Sequence, residues 1–232
     1  MKTIGLLGGM SWESTVGYYR SINKGIKQAL GDLHSARIAM VSVDFDPIAK
    51  LQHTSNWGET GRLLAEDAKQ VQAAGADFLV ICTNTMHIVV PQIEAAIDIP
   101  ILHIADATAE VLLEKGVHTV GLLGTAFTME KDFYKGRLQA KHGIDVLVPH
   151  AEDRRVVHET IYQELCLGIQ DEASRAEFLR IIHDLAERGA AAVILGCTEI
   201  GMLVSQPDTP VTLVDTTAVH ASKAVEAALQ EN

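Results

Sequence analysis

Three segments of this 232-residue chain recur in the same order at nearly constant separation, and this internal repeat restricts the fold more than any single motif. Thr3-Ile-Gly-Leu-Leu-Gly-Gly9 is echoed by Thr119-Val-Gly-Leu-Leu-Gly-Thr125 at an offset of 116, and Gly75–Thr85 by Gly189–Glu199 at 114. Pro100–Thr108 is echoed by Pro210–Thr217 at 110. Two related halves follow. Short apolar runs punctuate both: Thr3–Leu7, Ile38–Asp44, Phe78–Cys82, Ile101–Ile104, Thr119–Leu123, Val146–Val148, Ala192–Gly196 and Val211–Val214. Their continuous hydrophobicity, without alternation, predicts strands covered by helices on both faces. The expected fold class is therefore α/β, with two pseudo-symmetric α/β/α domains, each built on a mainly parallel sheet. The clearest helix signal is Ser174-x-x-Glu177, a capping-box pattern, followed by Phe178, Ile181, Ile182 and Leu185 on one face and closed by Gly189.

Composition excludes several functions. Lys plus Arg number 19 against 30 Asp plus Glu, a formal charge of −11, and the cations are scattered. Such a balance disfavours nucleic acid and anionic membrane surfaces. No apolar run approaches the roughly 18 residues of a membrane span, and the N-terminal apolar stretch is too short for a signal h-region, so a cytoplasmic location is expected. Cys82, Cys166 and Cys197 form no C-x-x-C and cannot all pair, which predicts free thiols. Cys82 and His87 match no standard zinc spacing, and no metal is expected.

Open parallel sheets bind ligands beyond the carboxyl ends of their strands, and two facing halves would place one small-molecule cleft between them. Three segments would converge there. Gly8-Gly9-Met10-Ser11 leads into a helix whose N–H groups suit an anion, and Gly124-Thr125-Ala126-Phe127-Thr128 is its echo, with Thr128 a potential N-cap. The others are Cys82-Thr83-Asn84-Thr85-Met86-His87 and Cys197-Thr198-Glu199. Aligned without a gap, Cys197 falls opposite Thr83; one inserted residue brings Cys82 opposite it instead. Neighbouring residues on an extended segment point to opposite sides, so only one of Cys82 and Thr83 faces the cleft in the way Cys197 does. Paired proton carriers on opposite sides of a carbon acid suit a 1,1-proton transfer. A thiol has an ordinary pKa of about 8.5, which a helix N-terminus lowers. No Lys lies in these motifs to hold pyridoxal phosphate, so no cofactor is expected. Cys166 reads as core, and Trp12 and Tyr18 as either the cleft mouth or a subunit contact.

Gly-Gly-Met-Ser at 8–11, Cys-Thr-Asn-Thr at 82–85, Leu-Gly-Thr at 123–125 and Gly-Cys-Thr-Glu at 196–199 resemble the pyridoxal-independent aspartate/glutamate racemase family over essentially the whole chain. The resemblance implies a homodimer of two-domain subunits, with 1–98 plus 208–232 forming one domain and 99–207 the other, so that the last strand and its helix return to the first. The family pattern places a catalytic Cys directly before Asn-Thr, whereas Thr83 stands there in this chain. That form resembles a branch specific for L-aspartate and L-glutamate with a Thr/Cys catalytic pair, here Thr83 and Cys197. Met10, Gln52, Asn84, Thr85, Glu164 and Thr198 are implied as substrate-binding, joined by Ser11 and Thr125 from the glycine segments. Ile48 and Glu164 stand where some members carry a cation for the distal carboxylate; a Glu suits the substrate ammonium instead. The expected function is a cofactor-independent racemase of a small acidic amino acid. The rivals are hydantoin racemase, maleate isomerase or decarboxylase chemistry on the same fold, or a non-catalytic small-ligand binding protein.

Overall fold

A computed structural model describes residues 1–230. The chain divides into two compact units, Met1–Ile104 with the segment from His220, and Ala105–Val219. In the first, the elements run β1 (Ile4–Gly8), α1 (Trp12–Leu30), β2 (Ile38–Ser42), α2 (Phe45–His53), α3 (Trp57–Ala73), β3 (Phe78–Ile81), a 3-10 turn over Thr85–Val89, and α4 (Val90–Glu94). The strands form a parallel sheet in the order β2-β1-β3. Strand residues alternate between two apolar layers: Leu7, Leu79 and Ile81 pack with Leu64, Ala68 and Val71 of α3, whereas Ile4, Leu6 and Val80 pack with Tyr18, Ile22 and Ile26 of α1. Burial on both faces is why these strands read as unbroken apolar runs.

The second unit continues with α5 (Ile104–Glu114), β4 (Thr119–Leu123), α6 (Ala126–Glu130), α7 (Lys135–His142), β5 (Asp145–Leu147) and α8 (Ala151–Gln163). After a 3-10 turn over Leu165–Leu167 come α9 (Glu172–Glu187), β6 (Ala192–Leu195), α10 (Ile200–Leu203), β7 (Thr212–Asp215) and α11 (Thr216–Leu229). Its sheet is parallel in the order β5-β4-β6-β7, the same winding as the first with one strand added. The buried face of α9 is the one read from sequence, Phe178, Ile181, Ile182 and Leu185, packed with Val193 and Leu195 of β6. Asp106 on α5 accepts from Arg137, Lys141 and His142, tying α5 to α7; those bonds outweigh its partial burial and hold its carboxyl well below the ordinary range.

Several expectations change. Ile101–Ile104 forms only a bridge between Ile101 and Leu79, because α5 already starts at Ile104 and leaves no length for a ladder. The last strand does not return to the first unit: β7 pairs with β6 from Thr212 to Asp215, and only α11 from His220 onward rejoins it, so the unit limits fall later than 98 and 207. Helix α9 starts before Ser174, with Asp171 as its N-cap. In α6 Thr125 is the cap and Thr128 lies inside the helix. Cys166 is exposed rather than core, since in its tight turn Leu165 takes the inward position. Tyr18 is fully buried, hydrogen-bonded to His220 Nδ1 at 2.9 Å, and lines neither a mouth nor a subunit contact. Among the described residues no helix is long and apolar enough to cross a membrane.

Candidate active site

In the first unit the polar segments follow adjacent strands. Beyond β1, Gly9 adopts a φ of +94°, and a side chain there would run into the backbone of Val43. Met10 is buried in the α3-side core, and Ser11 caps α1, accepting from Ser14 N at 3.4 Å. Two amides of this turn are used internally: Gly9 N–H donates to Thr15 Oγ1 at 2.8 Å, and Ser14 N–H donates to the Ser11 cap. Ser14 Oγ donates to Cys82 O at 3.3 Å, which joins this turn to the segment after β3.

Cys82 N–H donates to Leu7 O at 2.9 Å, and Gly196 N–H donates to Leu123 O at 2.6 Å in the second unit. The ladders carry the same correspondence, with Ile4 opposite Phe78 and Val120 opposite Ala192. These are the offsets of 116 and 114 found in the sequence. By backbone position Gly196 is therefore the counterpart of Cys82, and Cys197 is the counterpart of Thr83. Cys82 points into the apolar layer of α1 and α11, fully buried, and burial pushes its thiol far up. Thr83 is half-buried, and its hydroxyl has no hydrogen-bond partner among the described residues. Asn84 and Thr85 are buried beside it, and Gln52 is buried on α2.

In the second unit Thr125, Cys197 and Thr198 follow the adjacent strands β4 and β6, whose ends approach closely: a Cβ on Gly124 would lie 3.0 Å from Gly196 O. Cys197 Sγ donates to Glu199 Oε2 at 3.0 Å, and Thr198 Oγ1 donates to the same oxygen at 2.6 Å. Burial first, then the Glu199 charge, raises the Cys197 thiol well above the ordinary thiol range. This reverses the lowering expected from a helix start, since α10 spans only four residues. Glu164 ends α8, and its Oε2 is buried without a hydrogen-bond partner. His158 Nδ1 accepts from Ala126 N–H at 3.1 Å behind Thr125.

The structure thus gathers Met10, Ser11, Thr83, Asn84 and Thr85 at the strand ends of one unit, and Thr125, Cys197 and Thr198 at those of the other. Gln52 comes from α2, and Glu164 from the residue just past the end of α8. Sequence reasoning did not single out Glu199 as the hydrogen-bond acceptor of Cys197 and Thr198, although its place two residues after Cys197 was a usable signal. A family model described as Asp/Glu/Hydantoin racemase matches residues 7–224.

The chain belongs to the Asp/Glu/Hydantoin racemase family. This racemase is 52% identical to a candidate Asp/Glu racemase from Yersinia pestis, covering 99% of this chain and 100% of the other at a TM-score of 0.94. It is 31% identical to an aspartate racemase homologue from Pyrococcus horikoshii OT3, with 99% and 100% covered and a TM-score of 0.85. The broad specificity amino-acid racemase RacX of Bacillus subtilis is 21% identical over 72% of this chain and 71% of its own. The enzyme class expected from the motifs, an amino-acid racemase, follows from the family.

Proposed function

We propose that this racemase acts on a small acidic amino acid, L-aspartate or L-glutamate, without a cofactor, exchanging the Cα proton through Cys197 on one face and Thr83 on the other. The observation that carries this reading is the equivalence of Thr83 and Cys197 in two independently paired sheets, each one residue past the same backbone hydrogen bond. Cys197 must lose its proton before it can take one, and Glu199 Oε2 is placed to accept it. The thiolate then removes the Cα proton of the L-enantiomer, the electron pair passing into the substrate carboxylate. Thr83 delivers a proton from the opposite face while its oxygen takes one from water, and Glu199 releases its proton to solvent.

A threonine hydroxyl gives or relays a proton far more readily than it removes one, so the chemistry runs best from the L side. The buried, unpartnered Oε2 of Glu164 suits the substrate ammonium. Met10, Ser11, Gln52, Asn84, Thr85, Thr125 and Thr198 complete the binding shell in this reading, and a cytoplasmic homodimer belongs to it on the strength of the motif resemblance. Family membership weighs against a non-catalytic binder.

Chiral chromatography on an amino-acid panel tests the reading. Wild type should invert L-aspartate or L-glutamate, Cys197→Ser should lose roughly 100-fold or more, and Cys82→Ala should stay within about twofold, as befits a packing residue. An unaffected Cys197→Ser, or a Cys82→Ala as inactive as it, overturns the assignment.

A further inference from the structure

Beneath Thr83 lies a buried imidazole whose protonation the surrounding backbone dictates. His87 is 1% exposed, in the 3-10 turn after β3. Its Nε2 lies 3.2 Å from the backbone nitrogen of Ile104, which can only donate, so Nε2 is the unprotonated nitrogen. Its Nδ1 lies 2.8 Å from Thr83 O, which can only accept, so Nδ1 carries the hydrogen. One neutral tautomer satisfies both bonds, and a charged ring would confront the Ile104 N–H with a second donor. His103 packs edge-on at 4.5 Å and His220 at 6.0 Å, and His220 is likewise committed, between Leu102 O and the Tyr18 hydroxyl. With both ring nitrogens used, His87 has no lone pair to spare for a metal.

We propose that His87 is a positioning residue for Thr83. The inference rests on the reading of Thr83 as the proton donor. The ring is a rigid strut between the peptide after β3 and the start of α5. It fixes the Thr83 carbonyl, and with it the backbone dihedrals on which the side chain stands. Threonine is β-branched, so a fixed backbone leaves its χ1 few choices. No partner among the described residues holds the Thr83 hydroxyl, so its direction comes from the backbone alone. The strut therefore aims the hydroxyl.

The test separates two events in heavy water with L-aspartate and L-glutamate. Deuterium entering Cα with retention reports removal and return by Cys197, whereas D-product reports delivery by Thr83. His87→Gln, which removes the donor to Thr83, should lower inversion roughly tenfold or more while retention exchange stays within about threefold. His87→Asn, whose amide nitrogen falls near the Nδ1 place, should recover most of the inversion. Parallel loss of exchange and inversion in both variants, tracking a fall in Tm, overturns the proposal in favour of a structural role, as does unchanged inversion in His87→Gln. Thr83→Val is the control on the underlying reading: if it inverts like wild type, Thr83 is not the donor, whatever His87 does. Wild type showing neither exchange nor inversion with either substrate removes the reading and this proposal together.

Discussion

At Cys197 a carboxylate sits where a thiolate would be repelled, and the same carboxylate is the nearest acceptor for the thiol proton. A thiol held above its ordinary range is rarely ionised at rest but is a strong base once it is, as the proposed removal of the Cα proton requires. Glu199→Gln removes the charge that raises the thiol and the acceptor that drains it. Alkylation of Cys197 by iodoacetamide should then shift to lower pH, while turnover at neutral pH falls roughly 100-fold. Faster turnover at neutral pH would show that Glu199 only burdens the thiol. At this scale the equivalent backbone positions of Thr83 and Cys197 were legible in the sequence because an ungapped echo is also a shared ladder register. The bond from Cys197 to Glu199 was not, since adjacency in sequence does not reveal that a side chain folds back. Gln52 and Glu164 carried little signal for a different reason: one is an ordinary polar residue on a helix and the other a helix cap, and only the burial of their polar atoms distinguishes them.

Among the elements, seven of the eight expected strands form, and the exception is instructive. Ile101–Ile104 has strand composition, but Ile104 is also the first residue of α5, and two hydrogen bonds to Leu79 are all the sheet contributes. Helix α9 shows the converse, a correct apolar face with a misplaced start. Ser174 and Glu177 match a capping box, yet Asp171 Oδ1 accepts from both Ala173 N at 2.9 Å and Ser174 N at 3.2 Å. A carboxylate at a helix N-terminus gains from the backbone dipole as well as from the bonds, so the earlier cap wins. Asp171→Ala should cost about 1 kcal/mol in denaturant unfolding, against less than about 0.5 kcal/mol for Ser174→Ala. The reverse ranking would restore the start read from sequence.

For the whole molecule, the buried histidines link stability to pH. Burial lowers His220 to about 4, opposed in part by its bond to Leu102 O, and lowers His87 well below its ordinary value, helped by His103 and His220. Both are neutral when folded and gain protons more readily when unfolded. Their contribution is complete above the unfolded value near 6.5 and is lost as pH falls from there toward 4, on the order of 3 kcal/mol for His220 alone. Tm should therefore decline between pH 7 and 5, less steeply in His220→Gln; an equal slope in both proteins would dismiss the linkage. The two related units were legible from the echoes, but their limits were not, because α11 crosses from one to the other without a break in helical pattern. That crossing also sets an order of assembly. Ala221, Ala224, Val225 and Ala228 of α11 complete the apolar layer over β1, and Lys2 N–H donates to Ala228 O at 2.9 Å. During translation β1 must wait for α11 before their shared apolar layer closes, whereas the strands of the second sheet all lie within the uninterrupted stretch from Ala105 to Val219.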